Sequence, residues 1–174
     1  MHPAPVDVIV PVYNEEAALP AFHRRLTGLD LPVRPIYIDN GSTDGSLRLL
    51  HSFTGAVVIE HATNEGYGAS LRDGIRRATA ERIVIIDADC EYPPEAIPEM
   101  VSRLDQADVV YASRFLEPQQ TRMGWLKVFG NRVITRLFNL LFQQQLTDLY
   151  TGAKAFRREV VADLPMEQNG FEHV

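Results

Sequence analysis

Two carboxylates close an apolar run in the stretch IVIIDADCE, where Asp87 and Asp89 stand one residue apart. Residues i and i+2 of a strand point to the same side, so both acids could reach one cation. Magnesium takes oxygen ligands and commonly uses one or two carboxylates together with substrate phosphates. Glu91, two residues on, could add a third carboxylate. The plainer reading is a pair of solvated acids that begin a loop and cap the next helix. A second acid, Asp39, closes the run IYID and is followed by NGSTDGS. An acid in that position can accept hydrogen bonds from a ribose or a base. Ser42 and Thr43 read as turn residues and Asp44 as a helix cap. In VPVYNEE, Tyr13 could pack on a flat base, while Asn14 could cap a helix whose dipole Glu15 and Glu16 favour.

Weaker signals lie further along. Gly66 and Gly68 of NEGYGASLRDG permit close backbone approach at a helix start, where anions are welcome, and a simple helix-entry turn explains them equally well. Leu71 stands where a dinucleotide fingerprint would place its third glycine, and no Gly-Lys-Ser/Thr occurs. The stretch LTDLYTGAKAFRRE carries Asp148, Gly152, Lys154, Arg157 and Arg158. If it is extended, Lys154 and Arg157 point to opposite sides and converge only through a bend. Arg114 and Arg122 could bind a phosphate. His23, His51 and His61 show no partner spacing for zinc or a catalytic triad, and nothing near Cys90 marks it as a nucleophile.

The elements that would position these residues alternate. Strands are expected at Val6–Val12, Arg34–Asp39, Ala56–His61, Arg82–Asp87 and Val109–Ser113. Helices are expected from about Glu15 to Leu26, Asp44 to Phe53, Gly68 to Thr79 and Pro94 to Leu104. Near-continuous apolar strands in βαβα order imply an α/β fold with a buried, mostly parallel sheet flanked by helices. Ligands of such sheets bind beyond the carboxyl ends of the strands, where the polar motifs fall. From Lys127 onward, polar residues 127, 131, 132, 135, 136, 139 and 143 recur at helical spacing opposite an apolar stripe that includes Phe129, Val133, Leu137, Leu140 and Leu141. That apolar stripe could cover the sheet, or it could lie on a membrane surface.

The chain has 174 residues, and its 17 basic and 23 acidic side chains give a net charge of −6. This length suits one domain, and the acidic balance argues against nucleic acid as a partner. The charge is uneven. Residues 1–113 carry 9 basic and 17 acidic side chains, residues 114–158 carry 8 and 2, and residues 159–174 carry 4 acids and no Lys or Arg. The basic block points to an anionic partner for that part alone. One cysteine excludes an intrachain disulfide. No secretory signal or membrane span is evident, so a cytoplasmic location is expected, with the basic helix peripheral on the cytosolic face of a membrane.

VPVYNEE, DNGSTDGS, NEGYGAS and DADCEYPPE, in that order and spacing, resemble a family 2 glycosyltransferase of the GT-A fold from about Val6 to Glu159. ASRF, GNR and LTDLYTGAKAFRRE are similar, more narrowly, to polyprenyl-phosphate glycosyltransferases of the dolichol-phosphate mannose synthase type. The resemblance implies a single GT-A catalytic domain over 1–174, with 1–113 the nucleotide and metal part and 114–174 the acceptor part, truncated at its C-terminal end. It implies that Pro11, Tyr13, Glu15, Asp39, Gly66, Gly68 and Asp87 serve the nucleotide. Asp87 and Asp89, with Glu91 near, would hold Mg²⁺ or Mn²⁺ on a UDP- or GDP-sugar. Asp89, Lys154 and Arg157 would act in catalysis, and Arg114 and Arg122 on the acceptor phosphate. Asn40 replaces the second acid of the usual DDGS, and Glu91 replaces a glutamine.

The expected reaction is inverting transfer of a sugar to a polyprenyl phosphate, which is ionised at pH 7 and needs cations more than a base. The alternative is transfer to a saccharide or natural-product hydroxyl, which needs a carboxylate base. Between 114 and 158 only Glu117 and Asp148 could supply one, and Glu172 lies beyond. A sugar nucleotidyltransferase would need a triphosphate loop that is not found. A silent nucleotide-binding module fits poorly with an intact acid pair.

Overall fold

The computed structural model describes residues 5–113, 125–149 and 151–161, without side chains for 125–127. Arg114, Arg122, Glu117 and Glu172 lie outside the described residues. Among the described residues six strands form one sheet in the order β3-β2-β1-β4-β6-β5. They are β1 Val6–Val12, β2 Val33–Asp39, β3 Val57–Glu60, β4 Arg82–Ile85, β5 Val109–Tyr111 and β6 Lys154–Arg157. β1 runs parallel to β2 and β4, and β2 parallel to β3. β6 is inserted antiparallel between β4 and β5. The mostly parallel α/β sheet inferred from the sequence is therefore present, with one reversed strand near its edge.

The helices are α1 Leu19–Thr27, α2 Ser46–Ser52, α3 Tyr67–Arg77, α4 Ile97–Arg103, α5 Trp125–Phe142 and α6 Arg158–Val161. Strand alternation sorts the core into two layers. Val6, Val8, Val10 and Val12 of β1 join Phe22, Tyr37, Val84 and Met100 on one face. Ile9 joins Ile36, Ile38, Leu71 and Ile83 on the other. The first helix begins four residues later than the acids of VPVYNEE suggest. Residues 15–18 form a turn in which the Ala18 and Leu19 amides donate to the Glu15 carbonyl. Pro20, in the first turn of α1, needs no donor there.

α5 contradicts one expectation from its sequence pattern. Its apolar stripe does not cover the sheet: Phe129, Val133, Leu137, Leu140, Leu141 and Phe142 are all exposed. The docked side is the uncharged polar line. Asn131 Nδ2 donates to the buried Asp148 Oδ1 at 2.7 Å, and Thr135 Oγ1 donates to Asn131 Oδ1 at 2.9 Å. Thr135 also accepts the Leu149 amide, and Asn139 both donates to the Leu146 carbonyl and accepts its amide. A helix satisfies its own backbone, so spare polar groups on one face can clasp a loop whose amides have no ladder partner. No helix among the described residues is long and apolar enough to cross a membrane.

Candidate active site

The carboxyl ends of β1, β2 and β4 open onto a cleft of about 370 Å³, within the range of small-molecule sites. Pro11, Tyr13 and Glu15 line it from the end of β1, Asn40 from the end of β2, and Asp87 and Asp89 from beyond β4. Gly66, with φ of 95°, heads α3 on the remaining side. The loops after β1 and β2 are laced together. Asn14, at φ of 58°, donates its amide to Ser42 Oγ and accepts the Thr43 amide. The Glu15 amide donates to Ser46 Oγ, and Glu16 exchanges bonds with Asp44 and Gly45. Asn14 and Asp44 thus hold loop to loop, and no side chain caps α1.

Asp87 follows β4 and is largely enclosed. Tyr67 Oη donates to its Oδ1 at 2.9 Å. A β-carbon on Gly152 would collide with its Oδ2, so the carboxylate occupies space that only a glycine leaves. Burial pushes Asp87 up to about 6; the Tyr67 hydrogen bond opposes this, Asp89 and Glu91 add to it, and Lys154 opposes it. Asp89 is exposed and accepts the Glu91 amide at 2.9 Å. Cys90 takes a φ of 60°, so the chain turns after Ile86 and the acid pair is presented by a turn instead of by strand alternation. Among the described residues no three His, Cys, Asp or Glu side chains gather to hold one ion. Glu91 is not brought into a metal cage with the pair.

Asp39 is 1% exposed, with Oδ2 accepting the Ser42 amide and Oδ1 lacking any partner. Ser70, on the cleft wall, likewise has a buried hydroxyl without a partner. Orphaned buried oxygens are costly and mark places where a ligand group would be welcome. Gly68 is buried within the first turn of α3 and does not line the cleft. Lys154 opens β6 opposite Ile85 and is buried near Asp87 and Asp148, with Nζ 5.6 Å from the Tyr111 ring centroid. Burial pulls its pKa down to about 8, against the pull of Asp87 and Asp148. Arg157 is not brought together with Lys154. Three residues of antiparallel strand carry it to the far end of the sheet opposite Arg82, where it donates to the Leu104 carbonyl and meets Asp108. Asn64 lies in the polar stretch after β3 that the sequence marks as a ligand edge, whereas Tyr67 and Ser70 belong to the cleft without a signal of their own. Their only signal was membership of the strand-end motif NEGYGAS.

Glycosyl transferase family 2 matches this sequence over residues 7–164. The chain belongs to glycosyl transferase family 2. Among solved structures it resembles glucosyl-3-phosphoglycerate synthase from Mycobacterium tuberculosis. With Mn²⁺, UDP-glucose and phosphoglyceric acid bound, that enzyme matches at 23% identity and a TM-score of 0.73, over 97% of this chain and 61% of that one. With Mn²⁺, UDP and glucosyl-3-phosphoglycerate bound, it matches at 22% identity and a TM-score of 0.72, over the same shares. TarS from S. aureus matches at 24% identity and a TM-score of 0.55, over 64% of this chain and 21% of that one. The chain spans about three-fifths of the synthase's length. These likenesses establish the GT-A fold of the family 2 domain. The narrower likeness to polyprenyl-phosphate enzymes has no counterpart among these three structures.

Proposed function

We propose that this family 2 domain transfers a sugar from a nucleoside-diphosphate sugar seated in the cleft, with a divalent cation on Asp87 and Asp89. The observation that carries this reading is an acid pair, Asp87 and Asp89, lining a cleft at the carboxyl end of the sheet, with the orphaned hydroxyl of Ser70 on its wall and the orphaned Asp39 oxygen at the end of β2, one strand beyond β1. Asp87 fits a cation because burial and neighbouring acids disfavour its charge, and a bound cation would relieve both. Mg²⁺ or Mn²⁺ there would neutralise charge on the departing diphosphate. Mn²⁺ accompanies UDP in the synthase structures. Asp39 and Tyr13 would take the nucleoside, Pro11, Glu15 and Gly66 would shape its seat, and Tyr67 would orient Asp87. Lys154 would stabilise developing negative charge beside Asp87. Arg157, at the far end of the sheet, takes no part in this, and Gly68 is buried in the first turn of α3 away from the cleft.

Two acceptors divide on separate observations. A hydroxyl acceptor is favoured by the comparisons, since the synthase structures hold phosphoglyceric acid or its glucosyl product. A polyprenyl phosphate is favoured by α5, which exposes both its apolar stripe and the polar-line residues Arg132 and Arg136 and carries no acid. The second reading also places the protein at an anionic membrane face.

The test follows nucleotide release from UDP- and GDP-sugars with Mn²⁺ or Mg²⁺, offering phosphoglyceric acid, free sugars or a polyprenyl phosphate. Asp89→Asn is expected to lose roughly a hundredfold or more in turnover. Full turnover in that variant would remove the metal assignment. Transfer to free hydroxyls but never to lipid phosphate would settle the acceptor against the lipid.

A further inference from the structure

The departure from DDGS at Asn40 is tied to a histidine that the cleft itself does not use. His61 follows β3 and is buried. Its Nδ1 lies 3.0 Å from Asn40 Oδ1, and its Nε2 lies 3.1 Å from Asp73 Oδ2. The orientation of the Asn40 amide is dictated by its other partners. Oδ1 accepts the Glu65 amide at 2.9 Å, and Nδ2 donates to Asn64 Oδ1 at 3.0 Å. Asn64 Oδ1 in turn accepts the Gly66 amide. Gly41, at φ of 74°, packs so closely on the next loop that a β-carbon would come within 2.5 Å of the Thr63 carbonyl carbon. A carboxylate at position 40 could not donate to Asn64, and its charge would sit beside Asp39.

We propose that Asn40, His61 and Asp73 form a positioning unit that holds the 61–66 loop, and with it Asn64 and Gly66, against the donor cleft. The inference rests on the nucleotide-sugar reading of that cleft and adds His61 and Asp73, which do not line it, behind Asn40, which does. Asn40 Oδ1 can only accept, so Nδ1 carries a proton. The Asp73 carboxylate faces Nε2, so the ring bridges Asn40 at the end of β2 to Asp73 of α3. The other charged groups around this carboxylate are Arg72 and Arg76, at 3.8 and 3.6 Å from Oδ1. Glu60 and Glu65 flank the loop, and Glu60 pairs with His51.

The test uses the whole chain and two readouts. Titration calorimetry with UDP and with GDP, each with MnCl₂, reads donor-site affinity. Hydrogen exchange of the Glu65 and Gly66 amides without nucleotide reads the loop directly. Asn40→Asp and His61→Gln are expected to weaken nucleotide binding by about tenfold and to speed exchange at both amides, since the first sets a carboxylate against Asn64 Oδ1 and the second breaks the link from Asn40 to Asp73. Asp73→Asn weakens the contact with His61 at a more open position, and about threefold is expected, the fallback if the buried variants do not fold. In the wild type, ¹⁵N spectra of His61 should show a proton on Nδ1.

Affinity within twofold of wild type together with unchanged amide exchange would overturn the unit, as would an Nδ1 without a proton. Wild-type protein that binds neither nucleotide would instead remove the donor reading. Faster exchange in the variants would still report the loop clamp in that case.

Discussion

At the residue scale the decisive contacts surround Asp87. Its carboxylate is braced by Tyr67, crowded by Gly152 and faced by Lys154. A methyl at position 152 cannot be accommodated without moving the carboxylate. Gly152→Ala is therefore expected to weaken Mn²⁺-dependent UDP binding by about tenfold, an energy near 1.4 kcal/mol. Calorimetry with and without metal measures this, and equal loss in both would show a general distortion. Lys154 gives a pH prediction. Burial lowers its pKa to about 8, so the ammonium is complete below that pH and is lost as pH rises through it. Turnover should fall correspondingly on the alkaline side. Lys154→Arg keeps its charge throughout and should flatten that limb. An alkaline limb identical in the variant would belong to another group.

At the element scale α5 inverts the usual placement of an amphipathic helix. Its polar line Asn131, Thr135 and Asn139 holds the 146–149 loop, while Leu137 and Leu140 stay 55% and 78% exposed. Thr135→Val removes a buried donor and acceptor and should cost about 1–3 kcal/mol. Leu137→Ser with Leu140→Ser should change stability by no more than about 0.5 kcal/mol. Urea denaturation of the two variants compares them, and the opposite ranking would mean that the docked face is assigned backwards. The same double serine variant, together with Arg132→Glu and Arg136→Glu, should lose binding to anionic vesicles if the lipid reading holds. Salt should weaken that binding in the unaltered protein.

At the scale of the whole molecule, the sheet is tied at the end away from the cleft. Asp7 is 1% exposed on β1, and it accepts two bonds from Arg34 of β2 and the amides of Thr79 and Ala80 leading into β4. Burial raises its pKa, but the Arg34 hydrogen bond and the two amides outweigh this and leave it below the ordinary 3.8. A depressed carboxylate contributes stability above its unfolded pKa and loses it as pH falls through the folded value. Acid unfolding should therefore draw on this group only below about pH 4. Asp7→Ala should cost about 3 kcal/mol at neutral pH by leaving the Arg34 charge and two amides without their partner. A thermal melt near that of wild type would show that water replaces the clasp.

Much of this site could be read without coordinates because of how parallel sheets are built. Apolar runs broken by polar motifs imply buried strands, and every parallel strand delivers its last residues to the same edge. Asp39, Asp87, Pro11, Tyr13 and Gly66 were therefore legible as neighbours although they are distant in the chain. Two kinds of fact were not legible. Strand direction was one: reversing β6 brings Lys154 to the cleft end of the sheet beside Asp87 and sends Arg157 to the opposite end, and neither spacing nor composition encodes that reversal. The other was the choice of partner. An amphipathic pattern states that a helix has two faces, and only the unsatisfied amides of the 146–149 loop decide that the polar one docks. The Asn40–His61–Asp73 contact likewise joins the ends of β2 and β3 to α3, and its hydrogen-bond directions exist only once the three are packed.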